Sequence, residues 1–356
     1  MNKIRIEGYK SIKHLELQLR SINILIGANG SGKSNFLSFF EFLQSIYNQN
    51  LKEYVALNGG VEKFLHKGDK VTEEISARLW LNRNAYSFTL KKAEEFFIFT
   101  KEGLWYNGNP NINNPQDIAS LSTESNLRHN HMPRATYIKH YLDGLRKYHF
   151  HDTGENSPFN KESNVDNDKY FLYSKGQNMA SYLYEVYEEN AATYNLIVRT
   201  IQSIAPYFLD FSFRPDRNRN IRLRWKSKHS EMIYGANDLS DGTIRFIALT
   251  TLFMQPTLPE TIILDEPELG LHPSAIAKLG GMIKSVASKG CQVIIATQST
   301  DLIAHFEPED IITVDQINGE SEFNRLDSEM LSQWLDDFTI DDLWKRNIID
   351  KGQPNY

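Results

Sequence analysis

Apolar and polar positions alternate from the start of the chain. Ile4 and Ile6, then Leu15, Leu17 and Leu19, then Ile22, Ile24, Leu25 and Ile26 predict three strands running into a glycine-rich loop. The period then changes to that of a helix. Phe36, Leu37, Phe39, Phe40, Phe42, Leu43 and Ile46 predict one over residues 34–47, with its N-terminus facing the loop. Residues 75–80 and 85–100 alternate again and are rich in aromatics, so antiparallel strands are expected there. Between 105 and 165 the pattern breaks, and the segments 107–115 and 152–158, rich in Asn, Gly and Pro, read as loops. Helical spacing over 137–146 and 179–204 predicts helices within this insertion. Strands return from Phe208, and the apolar runs 262–265 and 292–296 have the form of buried parallel strands. The expected organisation is an N-terminal lobe (1–104), a loop-rich and helical insertion (105–205) and a C-terminal lobe (206–356), in an α/β chain without internal repeat or heptad array.

Composition narrows this picture only a little. With 356 residues, 40% of them hydrophobic, the chain can fill a large core. A net charge of -6 argues against nonspecific coating of nucleic acid but leaves room for a local basic patch. The single cysteine, Cys291, lies in an apolar run and reads as a buried, inert thiol. The first residues lack the apolar core of a signal peptide, and no run approaches the roughly 18 apolar residues of a membrane span. A cytoplasmic location without membrane contact is expected.

The chemistry concentrates in a few motifs. Gly27, Gly32, Lys33 and Ser34 have the G-x-x-x-x-G-K-S spacing of a P-loop, set between an apolar strand and an amphipathic helix as that motif requires. Its glycines would let backbone N–H groups of the loop, Asn29, Gly30, Ser31 and Gly32 through Asn35, turn towards phosphates. Lys33 would reach the β- and γ-phosphates of ATP, and the Ser34 hydroxyl would ligate Mg²⁺. The strand 261–265 delivers adjacent carboxylates at its C-terminal end. Asp265 would hold the Mg²⁺ shell through water, and Glu266 would polarise an attacking water.

Leu239-Ser240-Asp241-Gly242-Thr243 precedes another helical pattern and resembles the Leu-Ser-Gly-Gly-Gln signature of ABC-type ATPases, with Asp241 and Thr243 departing from the strict form. In that family the signature binds the γ-phosphate held by a second subunit, which implies a head-to-tail homodimer in which Ser240 and Gly242 complete the ATP site. A plain helix cap at Ser240 or Asp241 is the competing explanation. Gly270-Leu271-His272-Pro273 resembles the loop that crosses between subunits, making His272 a site candidate, although a histidine that caps a turn would look the same. After the strand 292–296 comes Gln298, where such ATPases usually carry a switch histidine. Glutamine can still hydrogen-bond phosphate or the lytic water but does not titrate, a departure consistent with slow hydrolysis.

The opening Ile4-Arg5-Ile6-Glu7-Gly8-Tyr9-Lys10-Ser11-Ile12 and Lys33-Ser34-Asn35 resemble the SMC, RecF and OLD-like branch of ABC ATPases. A closer resemblance runs along nearly the whole chain through 148–153, Leu239 to Phe246, Asp265 to Pro273, Ala296 to Ser299, Trp334 and Leu343-Trp344. It is to the bacterial family of small AAA/ABC-type ATPases, where glutamine at the switch position is usual. The resemblance implies an ABC-ATPase head with a mixed central sheet, an antiparallel β subdomain and a helical insertion, acting in phage defence or DNA maintenance. It also suggests a separately encoded nuclease or Toprim-like effector as partner, because only about 58 residues follow Gln298, fewer than an ordinary domain needs.

Two further surfaces stay open. Arg222, Arg224 and Lys226 alternate with Ile221, Leu223 and Trp225, placing cations on one strand face that suits phosphate contacts with DNA or simply faces solvent. The acidic stretch Asp336 to Asp342 with Trp334 and Trp344 reads either as a docking surface or as a helix packed on its own domain. The competing functions are a transporter ATPase subunit and a nucleotide-binding scaffold with little turnover.

Overall fold

The computed structural model describes residues 1–106, 115–119, 121–335, 337–346 and 349. Of the expected loop 107–115, residues 107–114 lie outside the described residues, as does Asp336. Two compact units emerge, one formed by Met1–Leu145 with Glu307–Tyr356, the other by Arg146–Phe306.

In the first unit β1 (Lys3–Tyr9) and β2 (Ile12–Gln18) pair antiparallel, and β3 (Ile22–Ile26) leads into α1 (Lys33–Tyr47) and α2 (Leu51–Leu57). An antiparallel sheet follows: β4 (Glu74–Leu81), β5 (Asn84–Ala93), β6 (Phe96–Tyr106) and β7 (Gln116–Ala119) extend the β1–β2 pair in the order β2-β1-β4-β5-β6-β7. The aromatics that marked these strands close the core beneath α1, where Phe39 stacks on Phe88 and Phe42 meets Phe97 edge-on. Such pairs add about 0.5–1.5 kcal/mol each beyond their area burial. Glu102 of β6 is fully buried and accepts hydrogen bonds from Tyr86 Oη (2.6 Å), Ser125 Oγ (2.5 Å) and the Asn126 N–H (2.9 Å), so the carboxyl anchors the segment after β7. The helix expected over 137–146 is α3 (Pro133–Asp143), which starts at its proline and stops before β8 (Leu145–Tyr148). Arg146 is therefore a strand residue.

The second unit contains β9 (Ser163–Asn164), α4 (Met179–Glu189) and α5 (Ala191–Gln202). The helical spacing over 179–204 is realised as two helices that meet at Asn190, whose side chain accepts the Thr193 N–H and caps α5. Next come β10 (Phe208–Phe211), β11 (Asn220–Ile221), β12 (Arg224–Ser227) and β13 (Ile233–Gly235), with β10, β12 and β13 forming a small antiparallel sheet. The run 221–226 is not one strand, since β11 pairs with β9 and β12 with β10 and β13, yet its in-out alternation persists through the interruption. Helix α6 (Asp241–Phe253), β14 (Thr261–Asp265), α7 (Pro273–Ser288), β15 (Gln292–Thr297) and the short α8 (Thr300–Ile303) follow, and β14 and β15 pair parallel as buried runs should. Cys291 is buried, and burial pushes its thiol up to about 12.

The chain then returns to the first unit. There β16 (Ile311–Ile317) runs parallel to β3 and antiparallel to β17 (Glu320–Arg325), giving a mixed sheet, before α9 (Ser328–Leu335) and α10 (Ile340–Lys345). Among the described residues no helix is long and apolar enough to cross a membrane.

Candidate functional site

The first unit carries the P-loop. Strand β3 is buried along its whole length, and the chain leaves it through a loop that only glycine permits at three points. A side chain on Gly27 would collide with the Val314 carbonyl of β16. Gly30 and Gly32 hold φ of 79° and 112°, and a Cβ on Gly32 would collide with the Ser321 hydroxyl. Inside the turn, Lys33 Nζ donates to the carbonyls of Gly27 (2.6 Å) and Ala28 (2.9 Å), while Asn29, Gly30 and Ser34 lie exposed. Ser31 Oγ is buried without a hydrogen-bond partner, a polar atom left over in the loop's interior. This glycine cradle, inward lysine and orphaned hydroxyl match what an enclosed phosphate needs.

Two serines brace the cradle, and sequence reasoning assigned neither a role. Ser321 Oγ donates to the Ser31 carbonyl (2.7 Å) and lies 2.7 Å from Ser11 Oγ, which also accepts from Asn35 Nδ2 (2.8 Å). Ser321 sits 290 residues from Ser31, so no local pattern marks it.

The second unit carries the remaining candidates. Asp265 ends β14 opposite Ala296 of β15, and the Glu266 N–H donates to the Ala296 carbonyl at 2.8 Å. Glu266 has φ of 40°, a left-handed conformation uncommon for a residue other than glycine. Its carboxylate accepts from Gln298 Nε2 at 2.6 Å, so two predicted catalytic residues meet. Beneath them Thr297 Oγ1 donates to Glu268 Oε1, and burial raises the Glu268 carboxyl above its ordinary range against the opposing pull of that hydroxyl.

Ser240 caps α6 by accepting the Thr243 N–H, and His272 caps α7 with Nδ1 accepting the Ser274 N–H, so both side chains serve their own helices here. Gly242 faces the Gly270 carbonyl closely enough that a methyl group would sit 2.5 Å from it. Buried Arg245 of α6 ties the same loop down. Its guanidinium donates to the carbonyls of Leu269, Phe150 (3.1 Å) and His151 (3.2 Å), joining the signature helix, the 269–272 loop and the 148–153 motif.

On the basic segment, Arg222 pairs with Glu162 (2.8 Å) and Arg219 with Asp166 (3.1 Å), whereas Arg224 and Lys226 project from the exposed face of β12. Near the C-terminus Trp334 is half-exposed against Phe338, and Asp341 is held by Lys345 (2.9 Å) and Thr339 (2.6 Å).

This fold and these motifs define a P-loop ATPase of the ABC type. The chain is similar to the solved SMC head bound to the C-terminal winged-helix domain of ScpA, at 15% identity with a TM-score of 0.61, covering 93% of this chain and 99% of that one. It is also similar to an Smc head with an extended coiled coil bound to the C-terminal domain of ScpA derived from Pyrococcus furiosus, at 14% identity with a TM-score of 0.56, covering 94% and 98%. At these identities the likeness establishes the fold. Residues 22–304 match the model of the family described as AAA domain, putative AbiEii toxin, Type IV TA system, and the chain belongs to that family. Shorter stretches resemble transporter subunits. One is 32% identical over 101 residues to the energy-coupling factor transporter ATP-binding protein EcfA2 of Lactobacillus delbrueckii subsp. bulgaricus, covering 27% of this chain and 34% of that protein. Another is 46% identical over 43 residues to the tungstate uptake system ATP-binding protein TupC of Campylobacter jejuni, covering 12% and 13%. The chain thus spans about a third and about an eighth of these curated relatives.

Proposed function

We propose that this chain binds ATP with Mg²⁺, hydrolyses it, and uses ATP-dependent head-to-tail dimerisation as a switch acting on a partner effector or on DNA. The observation that carries the reading is the Glu266–Gln298 pair at the ends of adjacent parallel strands, 2.6 Å apart and aligned by the β14–β15 register.

Lys33 waits on two loop carbonyls and would exchange them for β- and γ-phosphate oxygens, with backbone N–H groups of the glycine loop and the Ser31 hydroxyl as further donors. Ser34 and Asp265 are the residues that would hold Mg²⁺, which when bound neutralises phosphate charge. Glu266 would accept a hydrogen bond from the attacking water and draw off its proton. Gln298 offers both a donor and an acceptor at every pH, so it orients water or γ-phosphate without titrating. Positioning of this kind supplies most of the catalysis in phosphoryl transfer. In a second copy, the α6 N-terminus with Ser240 and Gly242 would close over the γ-phosphate, and the 269–272 loop with His272 would lie at the seam.

The solved relatives are SMC heads bound to ScpA domains. By analogy a separately encoded protein, such as a nuclease or Toprim-like effector in antiviral defence, would read the ATP state of this chain. A transporter role has only the partial EcfA2 and TupC matches in its favour.

The test is the Glu266→Gln variant purified with and without MgATP. We expect it to bind ATP, to lose turnover, and to double its mass in ATP while retaining its cellular partner. A strict monomer in both conditions would overturn the composite site, and turnover equal to the unaltered chain would overturn the role of Glu266.

A further inference from the structure

Glu268 stands two residues beyond Glu266, more than nine-tenths buried, with one carboxyl oxygen engaged and the other, Oε2, without a hydrogen-bond partner. Stability alone does not account for a carboxyl in that place, because a buried carboxyl with an unmet oxygen is worse for the fold than an apolar side chain of similar size. Its one engaged oxygen has a specific target. It accepts from the Thr297 hydroxyl, and Thr297 Oγ1 in turn accepts the Ser299 N–H at 2.9 Å. Thr297 and Ser299 are the two residues flanking Gln298, and Thr297 is fully buried. The turn that presents Glu266 therefore also carries the group that ties down both neighbours of Gln298.

We propose that Glu268 is a positioning residue: through Thr297 it fixes the end of β15 so that the Gln298 amide stays at hydrogen-bond distance from the Glu266 carboxylate. This rests on the hydrolytic reading above. Two rungs join the 266–268 turn to the 296–299 segment on the side-chain level, the exposed Glu266–Gln298 rung and the buried Glu268–Thr297 rung, and the buried one sets the geometry of the exposed one. Shortening Glu268 or removing the Thr297 hydroxyl frees the strand end. On this reading nucleotide affinity is left to Lys33 and its loop.

The experiment is steady-state ATPase kinetics on the full chain for the unaltered protein, Glu266→Gln, Glu268→Ala, Thr297→Val and Thr297→Ser. Displacing a catalytic pair by an ångström is worth on the order of a hundredfold in rate, so Thr297→Val and Glu268→Ala should lower kcat by about 10- to 100-fold with KM for ATP within about twofold. Thr297→Ser keeps the hydroxyl and should restore kcat to within about threefold, a rescue that loss of packing would not give. If Glu268→Ala does not fold, the Thr297 pair decides. Normal turnover in Thr297→Val, or a fall in Thr297→Ser equal to it, overturns the positioning role while leaving hydrolysis by Glu266 intact. An unaltered protein no faster than Glu266→Gln overturns both.

Discussion

Gly242→Ala separates two effects of opposite sign. The residue lies in the first turn of α6, where alanine is favoured over glycine by about 1 kcal/mol if nothing else changes. The added methyl, however, would stand 2.5 Å from the Gly270 carbonyl oxygen, whereas ordinary contact begins near 3.4 Å, so helix and loop must part by roughly 0.9 Å. The obstacle is backbone rather than a flexible side chain, and the adjacent Leu269 carbonyl is held by Arg245, so the loop has little freedom to yield. Overpacking of this kind costs about 1–3 kcal/mol, which leaves a net destabilisation of up to about 2 kcal/mol after the helix gain. Gly281 in α7 supplies the control, because a methyl there meets nothing within 4 Å and should bring only the gain. Urea unfolding of both variants against the unaltered chain measures the difference. Equal stabilisation by Gly242→Ala and Gly281→Ala would refute the close approach of the signature helix to the 269–272 loop.

Two further outcomes are expected. Duplex DNA, if it binds the β12 face, should lose affinity in the double variant Arg224→Glu with Lys226→Glu, with a shallower salt dependence by about 0.9 in log–log slope per lost phosphate contact. Arg222→Glu should matter less because that guanidinium is already paired with Glu162, and unchanged affinity in the double variant would end the DNA reading. At Glu102 burial raises the carboxyl pKa despite hydrogen bonds from Ser125, Tyr86 and Asn126, so the folded state binds the proton more tightly than the unfolded one. Its contribution is full below the ordinary carboxyl pKa and is lost as pH rises through the folded value. The stability advantage of the unaltered chain over Glu102→Gln should therefore shrink as pH is raised from 4 towards neutrality, and a difference that grows with pH would contradict this.

The sequence by itself determined the elements whose logic is local. A run of five apolar residues, a loop of glycines and a helical phenylalanine stripe are contiguous, so strand, P-loop and α1 could be read in order, as could the two carboxylates at the end of β14. Local reading left the break within 179–204 unplaced, since Asn190 caps a new helix inside an unbroken apolar period, and it overran at β8, which begins where helical spacing still continues. Ser240 and His272 were recognised as positions, but only the folded chain showed each capping its own helix. What tertiary structure alone decided was partnership. Gln298 meets Glu266 across 32 residues, Thr297 meets Glu268 across 29, Arg245 reaches carbonyls 94 and 95 residues away, and Ser321 braces a loop 290 residues earlier. Periodicity encodes which face of an element is buried, and it carries no information about which distant polar group will be waiting there.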